Sequence, residues 1–151
     1  MTIKTPAAFI CDILCLSNRW RLSIMERTTV LLRNEGELKE VIRTATVGFV
    51  GCFMGCIIHD FEKLQDKQTK TEYIKELYKE CDSWARDEYD MRNKINVLIR
   101  IIESDMVVQA MEYVLKANSR KLDIPDIKEN AQLVLTHLET GKLKLPVVFE
   151  D

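Results

Sequence analysis

The chain has 151 residues, 46% of them apolar and 30% charged, with a formal net charge of −2 at neutral pH. That length suits one domain of about 100–150 residues, and the apolar share excludes general disorder, because a disordered chain lacks the aliphatic surface to offset its ordering entropy. The near-balanced charge gives no electrostatic footprint for nucleic acid or an anionic membrane, and neither is expected as a partner.

The N-terminal Met-Thr-Ile-Lys-Thr-Pro leads into an apolar stretch, Ala7 to Leu16, that carries Asp12 and has no small-residue cleavage site. These features argue against a secretory signal. Pro6 suits the first turn of a helix, so a short helix is expected from there to Leu16, stopped by Ser17-Asn18. A second is expected over Leu22 to Leu32, with Asn34-Glu35-Gly36 as its left-handed cap and turn. Between the two, Arg19-Trp20-Arg21 sets an aromatic between two guanidinium groups. Trp and Arg are enriched at binding hot spots, which makes these three candidate partner-contact residues.

A third helix is expected from about residue 37, where Glu37 and Glu40 suit the positive end of the dipole, to about residue 65. Its stretch from Thr44 to His59 is uncharged for 16 residues, short of the roughly 20 needed to cross a membrane. An all-round apolar middle between polar flanks describes a helix buried by neighbours at the centre of the fold. Gly48, Cys52 and Gly55 lie on nearly one face, at small-residue spacing that lets another helix approach closely. The alternative for Gly48, Gly51 and Gly55 is a slot for a small apolar ligand.

No glycine or proline occurs between Gly55 and Pro125. Within that span Ile74, Leu77, Cys81, Trp84, Glu88, Met91, Ile95, Leu98 and Ile102 recur at alternating spacings of three and four, a heptad seam. The spacing predicts one helix from about Thr71 to Glu103, about 50 Å long, with Asp82–Arg86 and Glu88–Arg92 as supporting i,i+4 pairs. An interruption of more than two residues between Lys79 and Asn93 would refute it. Such a helix is either core or leaves part of its seam to a second chain. Trp84, Glu88, Met91 and Leu98 are therefore candidate partner-contact residues, and a homodimer is a candidate assembly. Glu88, a carboxylate on an apolar seam, needs Arg92 or solvent.

Ser104-Asp105 reads as a cap and new start, followed by an apolar face of Met106, Val107, Ala110, Val114 and Leu115. Asn118 to Ile124 reads as a loop. Pro125 with Asp126 opens a last helix whose stripe, Ile127, Ala131, Val134, Leu135 and Leu138, ends at Gly141. The expected fold is all-α: a bundle of five to six helices over residues 1–141, with residues 142–151 as an extended or docked tail.

The string Gly55-Cys-Ile-Ile-His59-Asp60-Phe-Glu-Lys63 is an apolar helix end followed by His-Asp. It resembles the central motif of the HD-domain metal-dependent phosphohydrolases, an all-α family whose adjacent His-Asp pair ligates a divalent metal. The resemblance covers fewer than ten residues. It departs from the family in having no histidine before His59, the other histidine being His137, 78 residues later. The carboxylates Glu80, Asp82, Asp87, Glu88 and Asp90, with Glu37-x-x-Glu40, loosely resemble the all-α nucleotide pyrophosphohydrolases, which hold magnesium through acids on facing helices. These two resemblances imply the alternative function, a metal-dependent nucleotide or phosphoester hydrolase. A buried helix in an all-α chain of this length is also similar in architecture to Bcl-2-like proteins, whose Asn-Trp-Gly-Arg signature is missing here.

Cys52, Cys56 and His59 follow one helical face, and Cys11 and Cys15 form a second i,i+4 pair. Thiolate and imidazole are zinc-ligand types. Among Phe49, Phe53, Ile57 and Ile58, however, thiols act as small apolar core groups with the proton on, and no metal or other cofactor is expected. Five cysteines, odd in number and set in apolar stretches, fit a reducing cytosol. No phosphate-binding glycine loop, dinucleotide fingerprint or Ser-His-Asp arrangement is present. The favoured reading is a cytoplasmic, non-enzymatic protein–protein interaction module: an adaptor, inhibitor or regulatory subunit.

Overall fold

The structure is a computed structural model that describes residues 30–117 and 125–146. The helix expected over Pro6 to Leu16, the Arg19-Trp20-Arg21 site, the 118–124 loop and the end of the tail lie outside the described residues. Of the helix expected over Leu22 to Leu32, the part that is described, Val30 to Leu32, is not helical. Its chain is pinned to the bundle instead: the Leu32 N–H donates to Ser104 Oγ (2.8 Å) and Arg100 Nε donates to the Val30 carbonyl (2.6 Å).

Six helices make up the described residues, which are 79% helical and contain no strand. The first, α1, covers Glu35–Ala45. Asn34 begins it rather than ending the segment before. Its side chain accepts from the Glu37 N–H (2.9 Å), while the Glu37 carboxylate reaches back to the Arg33 N–H (2.8 Å). One orphan donor of this helix start, and the N–H of the residue before its cap, are thereby satisfied. That hydrogen bond also holds the Glu37 carboxyl below its ordinary value.

The helix expected to run unbroken from about 37 to 65 is broken at Thr46. There φ is +76° and ψ is 143°, and the chain turns by 96° into α2, Val47–His59. A β-branched residue at positive φ is an outlier that costs about 1–3 kcal/mol. Thr46 offsets part of this as the cap of α2, its hydroxyl accepting from the Phe49 N–H (3.3 Å). Glycine adopts this backbone freely and serves nearly as well as a cap. We therefore expect Thr46→Gly to stabilise the protein by up to about 1 kcal/mol after its larger unfolded-state entropy is counted. Thermal unfolding checks this, and a lowered Tm would mean that no strain is stored at Thr46.

The expected central position of the apolar helix holds for α2, where Gly48 through Gly55, Ile57 and Ile58 are all buried. It packs against α1, α4, α5 and, most extensively, α6. No single helix among the described residues is long and apolar enough to cross a membrane. A short 3-10 turn, Phe61–Leu64, leads into α3, Lys67–Glu80, which Asp66 caps by accepting from the Thr69 N–H (3.0 Å).

The heptad helix expected from Thr71 to Glu103 is interrupted from Cys81 to Asp87, well beyond two residues. The break contains a 3-10 turn over Asp82–Trp84, an extended Ala85, and then α4 over Glu88–Glu103. The seam survives as a packing surface on both sides. Ile74 is 1% exposed, and Met91, Ile95 and Leu98 are 0% exposed. Folding the long helix back on itself buries the stripe within one chain, so the length argument for a second chain falls away. Met91 and Leu98 are corrected from partner surface to core.

Ser104 closes α4, Asp105 turns at φ +56°, and α5 covers Val107–Lys116. The expected break is there, although Ser104 ends one helix rather than capping the next. Helix α6, Pro125–Thr140, buries Ile127, Ala131 and Val134 and ends at Gly141 with φ +79°. Leu143 then docks, 4% exposed, with its N–H on the His137 carbonyl (3.0 Å).

Candidate functional site

The His59-Asp60 string lies where α2 ends, so its geometry follows from helix termination. Asp60 is the cap residue, and its N–H donates to the carbonyls of Cys56 and Ile58. Its carboxylate gathers the neighbouring side chains. Tyr73, reaching over from α3, donates its hydroxyl to Oδ2 (2.9 Å), His59 Nδ1 lies 3.0 Å from Oδ1, and Lys63 Nζ is 3.7 Å from Oδ1. An ionised carboxylate only accepts, so Nδ1 carries the hydrogen. Cys56 Sγ sits 3.6 Å from the Tyr73 hydroxyl and 3.9 Å from Asp60 Oδ2.

Burial, with the Asp60 charge as a smaller effect, pushes the Cys56 thiol above its ordinary value against the lowering effect of its hydrogen bond with Tyr73. Burial, with Cys56 and Asp60 beside it, pushes the Tyr73 phenol up as well. A protonated thiol and a protonated phenol facing a carboxylate already occupied on both oxygens make a staple between α2 and α3. Neither group is an activated nucleophile. Cys52 is buried, with its thiol likewise pushed up by burial. Among the described residues, no group of three or more His, Cys, Asp or Glu side chains could hold a metal ion. Among the described residues His59 and Asp60 are brought together, and the other side chains at the Asp60 carboxylate are those of Tyr73, Lys63 and Cys56.

The glycine face of α2 is occupied by helix packing. A methyl group added at Gly51 would meet Ile127 Cγ2 and Val114 Cγ1 at 3.0 Å and the Ile127 carbonyl oxygen at 3.2 Å. At Gly48 it would meet Ile127 and Trp84, and at Gly55 it would meet Val134. The position proposed for an apolar-ligand slot is thus where α6 lies against α2.

The segment between α3 and α4 is an elbow held by specific bonds. Lys94 Nζ donates to the Trp84 carbonyl (2.7 Å) and pairs with Asp90 (3.5 Å), over the Phe49 ring at 5.7 Å from its centroid. The Tyr78 hydroxyl donates to the Arg86 carbonyl (3.2 Å). Asp87 caps α4 by accepting from the Asp90 N–H (2.7 Å), and the Asp90 carboxylate returns to the Arg86 N–H (3.0 Å). That last bond, followed by the charges of Lys94 and Arg86, holds the Asp90 carboxyl below the usual carboxylate range.

Trp84, half-buried, stands edge-on to Phe53 at 5.4 Å and anchors the elbow to α2. Glu88 is exposed in the first turn of α4, and Arg92 donates to Thr71 rather than serving Glu88. Next to Glu88, Tyr89 is 72% exposed. Glu80, Asp82 and Asp87 are exposed around the elbow as well. Of the sequence-nominated partner residues, Trp84 and Glu88 are therefore on this elbow, Met91 and Leu98 are in the core, and Arg19, Trp20 and Arg21 lie outside the described residues. The sequence gives no signal for Tyr89, because on an unbroken helix it falls off the seam.

These observations define a class, an all-α helical bundle with a hydrogen-bonded acidic elbow. Comparison with protein-family models, with curated proteins and with solved structures gives no significant match in any of the three.

Proposed function

We propose that the protein is a protein-interaction module, an adaptor, inhibitor or regulatory subunit, that docks a basic partner segment on the α3–α4 elbow. The observation that supports this most is Tyr89. It is a large aromatic side chain, 72% exposed, on a segment whose backbone is fixed from four sides. Tyrosine supplies contact area at small entropic cost and is enriched at hot spots, and a rigid scaffold presenting it avoids an ordering penalty on binding. The exposed Glu80, Asp82, Asp87 and Glu88 around it outnumber the exposed Lys79 and Arg86 and set the sign of the partner.

Placing a photo-crosslinking aromatic at position 89 in the native cell tests the reading. A discrete crosslinked protein, with Tyr89→Ala weakening its binding about 10-fold or more and Glu88→Lys weakening it further, is the expected result. Unfolding of both variants should match the parent, since neither side chain is core. Crosslinks that arise equally from exposed Leu133 on α6, or a partner that binds Tyr89→Ala unchanged, would sink the elbow as the docking surface. A crosslinked species of twice the chain mass would identify the partner as a second copy.

A further inference from the structure

Lys70 of α3 and Arg92 of α4 each reach across the crossing of their two helices. Lys70 Nζ donates to Asn96 Oδ1 (2.6 Å), and Arg92 Nη2 donates to Thr71 Oγ1 (3.2 Å). Thr71 follows Lys70 in sequence and Asn96 is one turn beyond Arg92, so the two bonds cross-link the same short stretch and bring both cationic heads into it. Neither cation is within ion-pair distance of an acid among the described residues. Burial lowers the Lys70 ammonium from its ordinary value, repulsion by Arg92 lowers it further, and attraction by Glu103 is the smaller opposing effect. Two like charges, both half-buried, are thus held at one helix crossing in a chain whose net charge is negative.

We propose that the α3–α4 crossing binds an oxyanion of the phosphate class, held by Lys70 Nζ, the Arg92 guanidinium and the Asn96 side-chain amide. The donor count fits. Arg92 has about five donor hydrogens and commits one to Thr71, Lys70 has about three and commits one to Asn96, and the Asn96 NH2 is left to donate because its oxygen is taken. Thr71 is a positioning residue: its hydroxyl donates to the Lys67 carbonyl (2.9 Å) and accepts from Arg92, which fixes the guanidinium plane. A guanidinium fork and an ammonium point charge at one crossing suit a dianion better than a single carboxylate, because a dianion neutralises both charges. This site is separate from the Tyr89 elbow and does not depend on a protein partner.

The test is a titration of the full chain, followed by amide and side-chain NMR, with inorganic phosphate and in parallel with O-phosphoserine, each at ionic strength held constant with sodium chloride. Saturable shifts at Thr71, Asn96 and the Arg92 side chain are expected with at least one of the two. The probe that saturates at lower concentration tells a free anion from a phosphate monoester. Lys70→Gln and Arg92→Gln should each weaken saturation about 10-fold or more, while Lys75→Gln, an exposed lysine on the same helix, should leave it unchanged. Shifts that stay linear with both probes, or that match chloride alone, overturn the proposal, as does undiminished binding by a folded Arg92→Gln. Should either variant fail to fold, the shift map of the parent chain decides between the same outcomes.

Discussion

Phe49→Ala is expected to destabilise the protein by about 3–5 kcal/mol, a large part of the 5–15 kcal/mol that holds a domain of this size. The ring is fully buried in the first turn of α2, stacked on Phe53 at 4.5 Å with the planes 20° apart. Truncation would leave a cavity where α1, α2 and α4 meet, and the surrounding helices relax into such a space only in part. The same ring lies beneath Lys94 Nζ, which holds the Trp84 carbonyl. The loss therefore reaches the elbow: its amides should exchange with solvent faster in Phe49→Ala than those of α5. Urea unfolding measures the first effect and hydrogen exchange the second. A midpoint change worth less than about 1.5 kcal/mol, with an unchanged m-value, would show that the site collapses without a cavity.

Which residues are core was largely legible, and where the helices end was not. Periodicity reads burial directly, since every apolar position of the seam from Met91 to Ile102 is buried. The same periodicity is blind to a fold-back whose two arms remain in phase with one heptad. Ile74 and Leu77 on α3 and Met91, Ile95 and Leu98 on α4 keep their spacing across seven non-helical residues. The signal that marks the break is local. Arg33-Asn34-Glu35-Gly36-Glu37 and Arg86-Asp87-Glu88-Tyr89-Asp90 share one pattern, a cap residue followed three positions later by an acid that returns to the N–H of the preceding arginine. In the first case the sequence reads as the end of a helix, and in the second as i,i+4 pairing within one. Two occurrences of one capping arrangement identify both as helix starts.

The break at Thr46 carries no comparable sequence signal. Threonine at positive φ runs against local preference, and tertiary packing imposes it by burying Ala45 and Phe49 on either side of a 96° turn. His59-Asp60 was legible as a string, and its role was not. A helix-ending aspartate recruits its neighbours whether or not a metal is involved, and only the position of Tyr73 shows its oxygens already engaged.

Gly51→Val is expected to cost about 3 kcal/mol or more, at the upper end for overpacking, because the atoms it would displace are not all free to move. An ideal Cβ at position 51 stands 3.0 Å from methyl groups of Ile127 and Val114 and 3.2 Å from the Ile127 backbone oxygen. Side-chain rotation can clear the methyls, but clearing the carbonyl requires α6 to move away from α2 along its most extensive contact. Valine adds two further carbons in the same direction. Gly55→Ala is the matched control. Its new methyl meets the tip of the Val134 side chain at 3.3 Å and no backbone atom within 4 Å, and the gain of about 1 kcal/mol in helix propensity opposes that contact. Its stability should stay within about 1 kcal/mol of the parent. Equal losses at positions 51 and 55 in chemical unfolding would mean that α2 and α6 are held apart by something other than direct contact at Gly51. A much larger loss at 51 assigns the closest approach of the two helices to that residue and excludes a ligand slot there.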